Sequence, residues 1–309
     1  MKKNKLFIGA LALLMAFTTA CSSKTENTTT TSQDKDTFTY AINSDPSSTN
    51  PINVSDRWGL TMTNMIYSPL IRVEGDGSLV NELAESTELA KDGLSLTVNL
   101  KKGIKWSDGK DFTADDVVFT YETKAKKENG NFKSLWINDK PITVEKKDDH
   151  TVVFKFPEPS AAAANNIATE TYIIPKHIYG NVSDFSVKDL QEKPVGTGPY
   201  KLVENKRGEY IKFEANENYY KGKPNVKNVV LRVIQSADTA KVALQKGEID
   251  ASYVLPTDIK DLDTNKLDVY SYSENRIGYL GLNTKTNELK DVKVRQAILY
   301  ALNKGDMNK

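Results

Sequence analysis

A mixed α/β fold is what this sequence predicts, and three observations predict it. Short segments alternate apolar and polar residues, as strands do. Longer stretches place apolar residues three or four apart, as helices do. Between residues 229 and 254 a strand, a helix and a strand follow one another at the length of a βαβ unit, whose parallel strands need a helical crossover.

The elements follow in chain order. Phe38 to Ile42 alternates as a strand and leads into SDPSSTNP, a turn-forming stretch. Residues 57–68 carry Trp58, Met62, Met65 and Ile66 at helical spacing. Ser95 to Leu100 alternates again. Asp108-Gly109 is a tight-turn dipeptide, because Gly, and Asp to a lesser degree, tolerates positive φ. Thr113 then reads as the N-cap of a helix over about 114–128, with Asp116 at N3 of a capping box and Phe112 and Val117 as a hydrophobic staple. Ile142 to Glu145 and Val152 to Phe156 form a hairpin, and Tyr200 to Phe213 a second one turning at Lys206-Arg207-Gly208. Val229 to Ile234 is a strand, 236–247 a helix closed by Gly247, and Ile249 to Val254 the next strand. Tyr279 to Leu282 is a last strand. Val294, Ala297, Ile298, Ala301 and Leu302 mark one face of a final helix, with no chain after Lys309 to cover it, which predicts an incomplete domain.

The first residues set the compartment. Lys2, Lys3 and Lys5, the apolar run Leu6 to Phe17, then Thr18-Thr19-Ala20-Cys21 have the zones of a signal peptide. The run is shorter than the roughly 20 residues of a spanning helix, so export is expected rather than a transmembrane anchor. Cys21 is the only cysteine and stands at the cleavage position, so the region resembles a bacterial lipoprotein signal in which its sulfur takes a lipid; the alternative is an incidental cysteine in a secretory signal. Thr18 stands where that pattern usually has Leu. Ser22 to Asp36 has no large apolar residue and reads as a flexible tether. The rest exceeds the ~150 residues typical of one domain, so two lobes fit. A net charge of +1 from 42 basic and 41 acidic residues argues against a nucleic-acid partner.

W-S-D-G-K-x-F-T-A-D-D-V-V-F-T at 106–120, G-T-G-P-Y at 196–200, K-G-E-I-D at 246–250 and V-R-Q-A-I-x-Y-A-L-N-K at 294–304 resemble the peptide/nickel class of ABC-transporter solute-binding proteins, the oligopeptide-binding family. The resemblance implies a two-lobed, periplasmic-binding-protein-like clamshell, type II-like, with an inserted subdomain in lobe I. Residues 37–81 and 194–277 would be lobe I, 82–193 the insertion, and 278–309 the start of a truncated lobe II. Gly196 and Gly198 would allow a sharp turn back into lobe I. The implied function is the extracytoplasmic, lipid-anchored component of an ABC importer, a monomer that captures oligopeptides and delivers them to permease subunits. Nickel chelate, haem and pheromone are alternative ligands on the same scaffold, and a surface adhesin or signalling receptor is a further reading.

Peptide receptors of this family match the ligand backbone with strand-like hydrogen bonds, so affinity need not depend on sequence. Counted from Asn50-Pro51, the segment Val54-Ser55-Asp56-Arg57-Trp58 falls where lobe I would offer its edge. Main-chain groups of Ser55 to Arg57 would pair with the ligand, and Trp58 would pack on a ligand side chain or else anchor the following helix. Ser252 and Tyr253 end the strand after Lys-Gly-Glu-Ile-Asp, and open α/β sheets place ligands at the carboxyl ends of their strands; Tyr253 serves the ligand or the core. Trp136 and Tyr172 read as packing. The family's carboxylate for the peptide amino terminus falls in later lobe II sequence and is assigned to no residue here.

Ser107-x-x-Lys110 copies the tetrad of serine β-lactamases, which makes a serine hydrolase the alternative from another class. That chemistry needs both side chains on one helical face, and here the helix begins only after the lysine. His150 and His177, the only histidines, have no second ligand at metal-helix spacing, so neither a metal nor a cofactor is expected. Asp115-Asp116 are explained by the helix dipole.

Overall fold

Strands form where alternation lets every second side chain meet one core. In the computed structural model, residues 36–129, 132–160, 162–168, 171–185, 193–272, 279–303 and 305 are described. Cys21, the leader 1–21 and all but the last residue of the tether lie outside them. In chain order the elements are β1 (Thr37–Ile42), α1 (Arg57–Ile66), β2 (Ile71–Val73), β3 (Leu79–Asn81), β4 (Ala84–Leu89), β5 (Ser95–Leu100), α2 (Ala114–Lys124), β6 (Trp136–Ile137) and β7 (Lys140–Pro141). Then come β8 (Thr143–Asp148), β9 (Thr151–Lys155), α3 (Ala163–Ala168), α4 (Lys176–Tyr179), β10 (Tyr200–Lys206), β11 (Tyr210–Ala215), β12 (Asn228–Val233), α5 (Ala237–Gln245), β13 (Ala251–Ser252) and α6 (Val292–Ala301).

Two sheets dominate. The five-stranded sheet runs β10-β11-β12-β1-β13. Its first two pairings are antiparallel, and β1 lies parallel to both β12 and β13. The expected strand, helix, strand unit is β12-α5-β13, but its two strands do not touch: β1, from the other end of the described chain, lies between them. Ile211 and Phe213 of β11 and Val229 and Leu231 of β12 turn the same way, against Met62 and Ile66 of α1. The four-stranded antiparallel sheet, β4-β5-β9-β8, falls wholly within 82–193. Leu96, Val98, Val152 and Phe154 of its middle strands pack with Trp106, Phe112, Val117 and Tyr121.

The Trp-Ser-Asp-Gly turn holds these sheets together. Gly109 has φ +89, as the turn requires, and its N–H donates to Trp106 O at 2.9 Å. Ser107 N–H donates to Gly196 O at 2.9 Å, and the Asn218 amide to Trp106 O at 3.3 Å. Gly196 and Gly198 are needed for a different reason from the sharp turn expected. A Cβ on Gly196 would stand 1.8 Å from Ile66 O, and one on Gly198 2.6 Å from Met65 O, so the two glycines let this strand of backbone lie directly on the end of α1.

Several boundaries differ from expectation. α1 stops at Ile66 rather than 68, because Ser68 precedes a proline and is steered away from helical geometry. α2 stops at Lys124, not 128. β13 is two residues long, and Ile249, expected at its start, lies before it and packs with Ala240 and Ala243 of α5. Tyr279 to Leu282 forms no strand: Tyr279 to Gly281 are exposed, Leu282 is half-buried, and none of the described strands pairs with them. The hairpin β2–β3, the edge strand β4 and the short helices α3 and α4 were not anticipated.

Candidate functional site

β1, β12 and β13 point their carboxyl ends the same way, and a cavity of about 450 Å³ opens there. Asn43 and Ser44 follow β1, Ile234 and Gln235 follow β12, and Ser252 and Tyr253 end and follow β13; Asp56, Arg57 and Trp58 from the start of α1 close one side. The location is the one open α/β sheets favour: the strands stop, and loops from separate parts of the chain meet.

Asp56 is the N-cap of α1. Its Oδ1 accepts from Gly59 N–H at 2.9 Å, and its Oδ2 accepts from the Ser47 N–H at 3.2 Å and from the Ser47 hydroxyl. Burial pushes this carboxyl up, but the Ser47 hydroxyl and the N–H groups of Gly59 and Ser47 outweigh it and hold the group below its ordinary value. Asp56 is therefore an ionised group that caps α1 while lining the cavity.

Of the main-chain groups expected to pair along Ser55 to Arg57, two carbonyls have partners within α1. Asp56 O accepts from Leu60 N–H at 2.9 Å and Arg57 O accepts from the Thr61 hydroxyl at 2.9 Å, so these carbonyls serve the helix. Ser55 is exposed and does not line the cavity. Val54 is buried, with its N–H bonded to Asn50 O at 3.0 Å.

Trp58 anchors the start of α1 and also lines the cavity. Its Nε1–H donates to Asn43 Oδ1 at 2.6 Å and its ring centroid lies 6.1 Å from that of Tyr40, which anchors the helix start; the same ring still lines the cavity. The Arg57 guanidinium lies 5.6 Å from the Trp58 centroid and 5.3 Å from the Tyr253 centroid, and donates to the Tyr272 hydroxyl at 3.1 Å. Tyr253 is 39% exposed, so it belongs to the cavity wall and not to the core. Ser252 donates to its neighbour's carbonyl at 3.3 Å.

A second cavity of about 620 Å³ shares Ser252 and Tyr253 and continues along Phe38, Tyr40, Leu244, Ile259, Val269, Tyr270 and Tyr272. Ile234, Gln235 and Asn43 were missed, although the carboxyl-end rule used for Ser252 would have found them had it been applied to every parallel strand. Val269, Tyr270 and Tyr272 gave a weaker signal, a short aromatic run.

Away from these cavities, Ser107 and Lys110 flank the turn, and the Ser107 hydroxyl accepts from Gly196 N–H at 3.3 Å. His177 Nε2 lies 2.8 Å from Asp108 Oδ2. Among the described residues, no three His, Cys, Asp or Glu side chains are grouped so as to hold a metal ion.

Residues 78–309 match the bacterial extracellular solute-binding proteins, family 5, middle region. The chain belongs to this family. It is 37% identical to the oligopeptide-binding protein AppA of Bacillus subtilis, over 98% of this chain and 58% of that protein. The dipeptide-binding protein of Escherichia coli is 30% identical over 77% of this chain and 49% of its own length. Among solved structures, the substrate-binding protein CtaP of Listeria monocytogenes superposes with a TM-score of 0.76 at 37% identity, covering 86% of this chain and 54% of that one. AppA of Bacillus subtilis in complex with a nonapeptide gives 0.72 at 34% identity, covering 86% and 53%. The family 5 fold class, a type II periplasmic-binding-protein clamshell, is thus that of this chain, which spans about half the length of the relatives it matches.

Proposed function

We propose that this chain is the solute-binding part of an ABC peptide importer, and that the cavity at the ends of β1, β12 and β13 is where lobe I meets the peptide. The observation that carries the reading is the joining of Arg57, Trp58, Ser252 and Tyr253, from two distant segments, around one open cavity in a chain whose relatives carry peptide-binding names. Two cavities that share Ser252 and Tyr253 and have apolar and aromatic walls suit side chains of differing size, with water filling the remainder.

In this reading the five-stranded sheet with 37–81 and 194–277 is lobe I, the four-stranded sheet within 82–193 is the inserted subdomain, and lobe II starts near 278. The protein works outside the cytoplasm as a monomer, tethered through a lipid on Cys21, and hands its cargo to permease subunits. It carries out no catalysis. The Ser107 hydroxyl, engaged by Gly196 N–H, supports a scaffold role for that motif.

Native mass spectrometry of the protein purified without refolding tests the cargo. Peptide masses released on activation are the expected result, whereas haem or a nickel chelate released in their place would replace the peptide reading.

A further inference from the structure

Asn43 is held in one orientation by its neighbour. It follows β1 as an exposed residue of the cavity wall, whereas the Trp58 ring beside it is only 9% exposed. An indole N–H can only donate, so the Asn43 atom 2.6 Å from Trp58 Nε1 must be the amide oxygen. A buried donor needs its acceptor, and the indole is further fixed by the Tyr40 ring at 6.1 Å, so the amide does not turn over. With Oδ1 committed, Asn43 has Nδ2 and its two N–H donors left to present, and no group among the described residues accepts from them. The two charged side chains of the same cavity, Asp56 and Arg57, both have partners, and the Asp56 and Arg57 carbonyls serve α1.

We propose that Asn43 reads the peptide main chain: its Nδ2 donates to a backbone carbonyl oxygen of the bound peptide, with the orientation of the amide set by Trp58. The inference rests on the peptide reading above. Every residue of a peptide carries a neutral carbonyl acceptor, so one fixed amide donor recognises peptides whatever their side chains. An unrestrained Asn could flip and offer its oxygen instead; here the indole removes that choice, and Asn43 meets the cargo as a donor only. Because the amide is ordered before the peptide arrives, little further freedom is lost on binding. Side-chain donation at this point supplies what the engaged carbonyls at the start of α1 do not.

Calorimetry on the purified protein with pentaalanine and with its C-terminal amide, together with NMR of the Asn43 side-chain amide, reads the effect. Asn43→Asp separates the two duties of the residue. One carboxylate oxygen of the variant still accepts from Trp58, whereas the other puts an acceptor where the donors were. The expected result is that both probes bind wild type and that Asn43→Asp weakens both by about tenfold or more. In wild type the Asn43 Nδ2 resonances should move as pentaalanine saturates the protein. The Trp58 indole N–H resonance and circular dichroism check that the variant keeps its anchor and its fold; should it lose either, the wild-type Nδ2 resonances alone decide. Wild-type affinity in Asn43→Asp, or Nδ2 resonances that stay in place at saturation, would overturn the role of Asn43 while leaving the peptide reading standing. A loss seen with pentaalanine but not with its amide would overturn the main-chain assignment, because the contact would then be to the terminal carboxylate. Failure of wild type to bind either probe would overturn the peptide reading and the role of Asn43 with it.

Discussion

Two buried carboxylates show how much a single side chain can hold in place. Asp116, 4% exposed, accepts from Thr113 N–H at 3.0 Å, Lys176 N–H at 2.8 Å and Trp106 Nε1–H at 3.3 Å. Burial pushes its pKa up, against the pull of these donors. Asp116→Ala leaves three donors without their acceptor and should cost about 3 kcal/mol, against about 1 kcal/mol for Thr113→Ala, which disturbs only the cap. Urea denaturation of both variants checks the ranking. Glu82 works the other way. Burial pushes its pKa up, but Lys221, the Tyr220 hydroxyl at 2.6 Å and Arg72 Nε at 3.0 Å outweigh it and bring it below its ordinary value. A carboxyl with a lowered folded-state pKa adds stability that is fully present above its unfolded pKa, about 4.3, and is lost as pH falls through the folded value. Glu82→Gln should therefore cost about 2 kcal/mol at neutral pH, less than a fully buried pair because Arg72 and Lys221 can rehydrate. The gap from wild type should shrink in acid, and denaturation at pH 7 and pH 3 would show whether it does.

At the scale of elements, the seating of 196–198 on the end of α1 decides whether the sheets meet. Gly198 N–H donates to Ile66 O at 2.8 Å, and the space above that carbonyl admits no Cβ. Gly196→Ala must push the two backbones apart and should cost about 3 kcal/mol, near the upper end for overpacking, with a fall in thermal midpoint as the readout. Ser107→Ala in the same clasp should cost about 1 kcal/mol or less, since only a long bond is lost and Ser107 N–H still reaches Gly196 O. Peptide binding by Ser107→Ala should equal that of wild type, and a large loss at unchanged stability would overturn the scaffold reading of the motif. Most element types could be read in the sequence because alternation along β5, β9, β11 and β12 reflects one buried face each. The strand expected at 279–282 failed because alternation describes a side chain's surroundings, and none of the described strands supplies them.

For the whole molecule, the leader makes its own prediction. Cys21→Ala should release the protein from the membrane into the medium, and retention of the variant after a carbonate wash would remove lipidation as the anchor. The sequence by itself determined where most strands and helices lie, the capping box of α2, the near-neutral charge and the family, because each depends on local periodicity or on motifs read within a short window. Only the tertiary structure decided that β1 enters between β12 and β13, that Gly196 and Gly198 answer to the backbone of α1, and that Arg57 lies between Trp58 and Tyr253. Those outcomes join residues far apart along the chain, where loop-closure cost changes so slowly with separation that local sequence cannot rank one distant partner above another. Shared burial on one sheet face makes that choice, and burial is a property of the assembled core.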